Sequence, residues 1–340
     1  MLSRCLGWRV PLFIVACALA AGTGGCNSSG ERGRETAAPS EIMSENLVLA
    51  GEAAAARGDR NAALNQFARA IEINPRFVRA HIGMGEVYRV EGNYTKAEAS
   101  YRTAAQLEPT NFEAQYFHGL MLHVLNRVSE SVAAYLRALA LRPNDFQANL
   151  NLATAYYQLS EHRQAVPYAE SAVRLSPRSG PARLNLGAIY AALGRDREAL
   201  AEYQQASEYM ELTPALMNNL AESYGKLGRY EEMRNTLLEL IKKKPSAQAY
   251  ERLGYASFKL GRAQPTMYAA ALANFEKSID TDPDYYPALN GLGVCMLNLW
   301  LESDRRDAAA KDKGLECLRK SIQINGNQPR ILELLSRYGR

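Results

Sequence analysis

The chain has 340 residues, of which 47% are hydrophobic and 22% are charged. This composition is typical of a globular protein and argues against a disordered or collagen-like chain. The net charge of +4 is spread along the sequence, and its compact basic runs are the short segments 242–244 and 305–306. Because nucleic-acid binding usually needs a basic face, we expect no nucleic-acid partner.

The first element in the chain has the features of an export signal. Two arginines precede an apolar run at 10–21 that is short for a membrane span, and small residues at 22–25 lead to Cys26. This order resembles a bacterial lipoprotein signal, in which the cysteine is lipidated and becomes the new N-terminus. The sequence therefore predicts a signal peptide over 1–25 and lipidation of Cys26.

Alternatives remain open for this segment. Residues 14–17, ending in Cys17, match the aliphatic preference of the lipoprotein pattern better, but they leave a very short apolar core. The segment could otherwise be an ordinary secretory signal or an uncleaved anchor. If the lipoprotein interpretation holds, the protein is exported and anchored in a membrane, on the periplasmic or outer side of a bacterial cell envelope.

A polar segment follows at 26–43. It is rich in serine, glycine, glutamate and arginine, with a proline near its end. Such a composition favours a flexible tether, so we expect it to hold the folded part of the chain away from the anchor.

Beyond the tether, a pattern of small residue, aromatic, small residue and proline recurs every 34 residues. Its clearest occurrences are Ala63-Phe67-Ala70-Pro75, Ala97-Tyr101-Ala104-Pro109 and Ser131-Tyr135-Ala138-Pro143. A column of small residues keeps the same interval at Gly51, Gly85, Gly119, Ala153, Gly187 and Ala221. A further column contains residues that tolerate a left-handed backbone and so predicts breaks between helices, at Gly58, Gly92, Asn126, Ser160, Gly194, Gly228 and Gly261.

These columns resemble the tetratricopeptide repeat, a helix–turn–helix unit of about 34 residues. The resemblance implies an all-α fold, a right-handed superhelical α-solenoid of about eight repeats with a C-terminal capping helix. The physical interpretation agrees, because small residues let two helices approach, an aromatic side chain fills the gap and proline ends the second helix. The resemblance also implies that a partner protein binds in the concave groove formed by the first helices.

The columns divide the chain into a solenoid over 44–328 and a capping helix over 329–340. The interval fails after 245, because residues 264–268 are extra and about nine residues that include 303–307 are inserted. We expect the insertions to form loops or to lengthen helix ends. The predicted repeats are 44–77, 78–111, 112–145, 146–179, 180–213, 214–246, 247–285 and 286–328.

A search for catalytic chemistry finds no zinc-protease helix, nucleophile elbow, phosphate loop or dinucleotide fingerprint. The acidic residues at 280, 282 and 284 lack the pattern of a calcium loop. The sequence therefore predicts a non-catalytic interaction scaffold without cofactor, metal or small-molecule substrate. Two alternatives are an accessory or assembly subunit of an envelope enzyme or of a secretion or cell-wall complex, and, more distantly, an enzyme. Cys295 and Cys317 could pair in an exported protein or remain buried thiols.

Three asparagines, Asn151, Asn185 and Asn219, recur at the repeat interval on successive first helices. They predict a ladder along the concave wall, where each amide can donate to and accept from the backbone of an extended peptide. This resembles the asparagine ladder of the protein O-linked sugar transferases, although the same amides could instead bond within the scaffold. The residues predicted to line the groove beside them are Tyr116, Leu120, Leu150, Thr154, Tyr157, Leu184 and Asn218.

A second type of groove is disfavoured. Chaperone-binding relatives clamp a C-terminal carboxylate with a set of lysine, arginine and asparagine residues. The matching places here lack that set and hold Val48, Glu52, Gly83, Glu113 and Phe117. We therefore expect no chaperone-tail ligand.

Overall fold

The computed structural model describes residues 39–261 and 263–339, and within these ranges the chain forms α-helices and no β-strand. The predicted signal peptide and Cys26 lie outside the described residues. None of the described helices is long and apolar enough to cross a lipid bilayer. The helices are α1 Pro39–Ala56, α2 Arg60–Ile73, α3 Val78–Val90, α4 Tyr94–Leu107, α5 Phe112–Val124, α6 Val128–Leu141, α7 Phe146–Gln158, α8 His162–Leu175, α9 Gly180–Ala192, α10 Asp196–Tyr209, α11 Pro214–Lys226, α12 Tyr230–Lys243, α13 Ala247–Gly261, α14 Thr266–Thr281, α15 Tyr286–Glu302, α16 Ala308–Ile324 and α17 Pro329–Tyr338.

The helices pack as a linear array in which each one contacts the next along the chain. We call the odd-numbered helices α1 to α15 the first helices and the even-numbered ones the second helices. First helices also pack on one another, at α1 with α3, α5 with α7, α7 with α9, α9 with α11, and α13 with α15, whereas no two second helices of the described chain make contacts as extensive. The first helices therefore line the inner side of a curved solenoid, and the predicted all-α solenoid is confirmed.

The breaks between paired helices use left-handed backbone at most of the predicted places. Asn126 and Ser160 have φ of 61° and 60°, and the glycines of this column, up to Gly228, have φ between 72° and 81°. The prediction for Gly261 is wrong, because this residue is buried and is the last residue of α13. Helix α13 continues to 15 residues where α11 stops at 13, so it includes Gly261.

The start of the first helix differs from the predicted boundary, and the insertions lie in the last repeats as follows. Helix α1 begins at Pro39 and so overlaps the predicted tether, since proline is favourable in the first turn of a helix. In the last repeat the inserted residues lengthen both helices to 17 residues and form a loop in which Asp304 and Arg305 have positive φ. Helix α17 then packs on α16, and its Tyr338 meets the ring of Trp300 on α15 edge-on at 5.8 Å.

Inside each repeat, the small-residue column and the aromatic column fit together. A Cβ atom placed on Gly187 would lie 2.7 Å from the ring of Tyr203, too close for any side chain. Glycines stand in the same relation to Phe67, Tyr101, Tyr135 and Phe275. Where the column has alanine instead, the partner is not aromatic, as in the pairs Ala153 with Ala169 and Ala221 with Leu237. Each of the first seven repeats therefore contains a matched pair, either glycine with a ring or alanine with an aliphatic side chain. In the last repeat, a Cβ atom on Gly293 would instead lie 2.6 Å from the side chain of Leu318.

Two of the rings are held by a second glycine from the following repeat. A Cβ atom on Gly51 would lie 2.7 Å from the ring of Phe67, and one on Gly83 would lie 2.5 Å from the same ring. Phe275 is enclosed in the same manner by Gly254 and Gly291. These phenylalanine rings therefore fasten a repeat internally and also join it to its neighbour.

Candidate binding groove

The middle of the inner surface is nearly free of charge. We call the surface formed by α5, α7 and α9 the central wall. Apart from histidines and tyrosines, these three helices contain only two ionisable side chains, Glu113 and Arg183. Arg183 is directed toward the second helix of its own repeat, where its guanidinium lies 2.7 Å from Glu202 and donates at 2.8 Å to the carbonyl of Pro177. Glu113 is exposed in the first turn of α5, and the rest of the central wall offers a neutral surface to a ligand.

Both ends of the inner surface are different, because ion pairs there connect neighbouring first helices. On α3, Arg79 pairs with Glu45 and Glu52 of α1, and the contact to Glu52 is 2.9 Å. On α13, Arg252 lies 3.3 Å from Glu222 of α11. Such exposed pairs contribute only about 0–1 kcal/mol each to stability. They nevertheless engage several charged side chains at the two ends, whereas the central wall has no ion pair between its helices among the described residues.

The predicted asparagine ladder is divided between two roles. The Asn151 amide donates to the Tyr116 hydroxyl at 3.1 Å, and the Asn185 amide donates to the Thr154 hydroxyl at 2.9 Å. Each bond joins two neighbouring first helices, so these two amides bond within the scaffold. Asn219 is half-buried and makes no side-chain hydrogen bond with any described residue.

The residue type at the asparagine position depends in part on the aromatic side chain of the preceding repeat. Sixteen residues after Phe67 and Phe275 the chain has glycine, which the rings require. Sixteen residues after Tyr135 it has Asn151, an amide that lies close to the buried tyrosine hydroxyl. That hydroxyl has no hydrogen-bond partner in the described structure. The Asn151 amide donates to the hydroxyl of Tyr116, whose pKa burial raises to about 12.

The other predicted groove residues differ in exposure. Leu120 and Leu184 are half-buried, and Tyr157 is 37% exposed. The prediction for Leu150 is wrong, because its side chain is 7% exposed and belongs to the core against the following repeat. The Asn218 amide donates at 2.9 Å to the carbonyl of Pro214, one turn earlier in the same helix.

Sequence reasoning missed an exposed apolar row at the edge of the inner surface. Val90 and Val124 are 52% and 48% exposed and lie in the last turns of α3 and α5, followed by Tyr157 in the last turn of α7. The two valines are 34 residues apart, so this column was present in the repeat alignment. Beside the row, His123 and Gln158 hydrogen bond at 3.1 Å across α5 and α7. The central wall thus has apolar side chains at its edge and polar bonds that fix its helices.

A buried polar cluster lies away from the groove, between the second and third repeats. The Glu98 carboxylate is 3.2 Å from Nε2 of His118, 3.4 Å from the guanidinium of Arg127 and 3.6 Å from that of Arg102. Burial lowers the pKa of His118, so we expect a neutral ring at pH 7. The neutral imidazole and the two arginines together compensate the buried Glu98 carboxylate. We therefore interpret this cluster as part of the core and not as a binding site.

Metal binding and thiol chemistry each need particular side chains close together or exposed. Among the residues that the structure describes, no group of three or more histidine, cysteine, aspartate or glutamate side chains could hold a metal ion. Cys295 and Cys317 are free thiols that lie in one apolar cluster. Burial raises the pKa of Cys295 to about 11 and also raises that of Cys317, so neither is a ready nucleophile at neutral pH.

Comparison with known proteins identifies the class to which this arrangement belongs. A family model for the tetratricopeptide repeat matches residues 48–112, 150–211 and 218–264, which together are just over half of the chain. A second model, described as TPR repeat, matches residues 119–160. The chain therefore belongs to the tetratricopeptide repeat family.

Solved structures show the same fold at low sequence identity. PilF of Pseudomonas aeruginosa is 19% identical, with a TM-score of 0.51 over 62% of this chain and 96% of that chain. A tetratricopeptide repeat protein of Parabacteroides merdae is 18% identical, with a TM-score of 0.50 over 75% of this chain and 99% of that chain. No curated protein matches the chain significantly.

Proposed function

We propose that this protein is a non-catalytic scaffold that binds an extended segment of a partner protein along the central wall. The observation that carries the proposal is the nearly neutral surface of α5, α7 and α9, set between ends where ion pairs connect neighbouring first helices. Protein-binding surfaces are depleted in charge at their centre and enriched in aromatic side chains. A long groove of this composition suits a peptide, which needs apolar pockets and hydrogen bonds along its backbone.

Particular side chains supply both kinds of contact. Val124 and Tyr157 offer exposed apolar area, and Leu120 and Leu184 lie half-buried between the helices. On α11, which packs beside the central wall, the Asn219 amide makes no hydrogen bond within the described scaffold, and an asparagine amide can both donate and accept. In addition, Asn151 and Asn185 each have a second N–H beyond the one that bonds to the neighbouring helix.

Replacing Asn151, Asn185 and Asn219 together by alanine is expected to weaken peptide binding, because the amides that face the peptide backbone are lost. The probe is a set of peptides selected from a random phage-displayed library on the wild-type protein, and the measurement is the affinity by titration. Two bonds between helices are lost as well, each worth about 0.5–1.5 kcal/mol. Binding is therefore measured well below the melting temperature.

Two single changes separate the groove from the scaffold in this experiment. Asn219→Ala alone removes an amide without a scaffold hydrogen bond, so it should weaken binding without a loss of stability. Asn274→Ala is the matched control, because this amide bonds only to the carbonyl of Ala270 within the second helix α14. Full affinity in the triple variant would move the site away from the central wall.

We also propose that the protein is exported and attached to a membrane through lipidated Cys26. The proposal is supported by the apolar run at 10–21 and by the small residues that precede the cysteine. The polar residues 27–38 would then lead from the lipid to the start of α1.

Changing Cys26→Ser is expected to release the protein from the membrane fraction or to leave an unprocessed precursor. Each buried methylene of an acyl chain contributes about 0.8 kcal/mol, so attachment by more than one chain is firm. Membrane fractionation with mass spectrometry of the mature N-terminus is the measurement, and Cys17→Ser is the control. An unmodified N-terminus elsewhere in the mature protein would refute the anchor.

A further inference from the structure

A half-buried carboxylate on the inner surface has no partner among the described residues. Glu251 lies on α13, half-buried, and it makes no hydrogen bond or ion pair with any residue that the structure describes. Two other carboxylates of the inner surface are engaged, since Glu52 pairs with Arg79 and Glu222 pairs with Arg252. The adjacent Arg252 therefore directs its guanidinium to α11 and forms no ion pair with Glu251.

Helical spacing places Glu251 on the groove face of α13. Gln248, three residues earlier, and Tyr255, four residues later, share its face, and both are exposed. On the other side, Glu251 is close enough to Tyr285, at the start of α15, that its charge helps to raise the pKa of that phenol. The carboxylate thus lies between two neighbouring first helices, at the open side of the solenoid.

The environment of this carboxylate is unfavourable for a free negative charge. Burial raises the pKa of Glu251, and the nearby positive charge of Arg252 only partly opposes that rise. An unpaired, partly desolvated carboxylate lowers stability unless an opposite charge reaches it. Desolvated titratable groups of this kind cluster at functional sites.

We propose that Glu251 receives the cationic side chain of a lysine or arginine in the bound segment. The inference rests on the proposed binding function and specifies it further. The partner segment would then be mainly neutral where it crosses the central wall, with one basic residue at the place where it passes α13. Glu251 is in this view a specificity-determining residue of the groove.

The test is a selection of peptides from a random phage-displayed library on the wild-type protein, on Glu251→Gln and on Glu222→Gln. We expect wild-type peptides to share a basic residue at one position, and we expect this preference to disappear with Glu251→Gln. Glu222→Gln is the matched control, because it removes a groove carboxylate that is already paired with Arg252 and Lys226. Replacing the basic residue of a selected peptide by glutamine should cost affinity on the wild type but not on Glu251→Gln.

Melting temperature provides an independent measurement. Glu251→Gln should melt at the same temperature as the wild type or higher, because a neutral amide avoids the desolvation of a charge. A lower melting temperature would show that the carboxylate serves the scaffold and would overturn the inference. Wild-type peptides without a shared basic residue would also overturn it while leaving the proposed function intact. A wild-type protein that selects no peptides would overturn both.

Discussion

Replacing Phe67 by alanine is expected to lower the free energy of unfolding by about 3–5 kcal/mol. The side chain is 1% exposed, and its ring fills the space between Gly51 of α1 and Gly83 of α3. Neither glycine has a side chain that could move into the vacated space. The cavity therefore persists. It weakens the packing inside the first repeat and also the packing between the first and second repeats. Equilibrium unfolding in urea measures the change.

The control for this prediction is another aromatic residue of similar size. Tyr94→Ala removes a ring that is 40% exposed at the start of α4, and we expect a much smaller effect. Equal losses of stability in the two variants would contradict the assignment of Phe67 as a shared contact between repeats. A loss for Phe67→Ala well below 3 kcal/mol would mean that the repeats close over the cavity.

The second large effect is expected for Gly187→Leu, at about 1–3 kcal/mol of destabilisation. A Cβ atom at this position would lie 2.7 Å from the ring of Tyr203 and 3.2 Å from the carbonyl oxygen of Ala199. The ring is buried and the carbonyl belongs to a helix backbone, so neither can move away freely. Thermal and urea unfolding of the variant measure the loss.

A double variant identifies the clash as the cause. With Tyr203→Ala in the background, the ring is absent and the site approaches the natural pair of Ala153 with Ala169. Gly187→Leu should then cost clearly less than in the wild type, because the contact responsible has been removed. An equal loss of stability in both backgrounds would reject the assigned contact. As a further control, Ala192→Leu changes an exposed site on the same helix and should be nearly neutral for stability.

The solenoid could be predicted from the sequence because the residues needed for close helix packing and for tight turns recur at a fixed interval. The glycine opposite Tyr203 and the left-handed turns at Asn126 and Ser160 are local requirements, so they can be read from one chain. Gly261 misled because glycine serves two purposes, a left-handed turn and a close helix contact, and its residue type alone does not distinguish them. In α13 the helix continues through Gly261, where a Cβ atom would lie 2.7 Å from the ring of Tyr268.

The side chains that line the groove were harder to predict, since their exposure depends on how each repeat is rotated relative to the next. The repeat interval correctly placed Asn151 and Asn185 on first helices, but it could not reveal that their acceptors would be Tyr116 and Thr154 on the preceding helix. Leu150 was misplaced for the same reason, because the next repeat covers it. Whether a side chain faces a ligand or its own neighbour depends on the rotation between repeats, which no single repeat encodes.

The matched pairs of glycine with ring and alanine with aliphatic side chain also bear on how such a chain can change during evolution. A point mutation at Gly187 or Tyr203 alone disturbs a fitted contact, so a conversion of one pair type into the other needs two changes. Duplication or deletion of a whole repeat moves both members together and leaves the fit intact. We therefore expect gene-segment duplication to alter the length of this array more readily than single substitutions alter its packing columns.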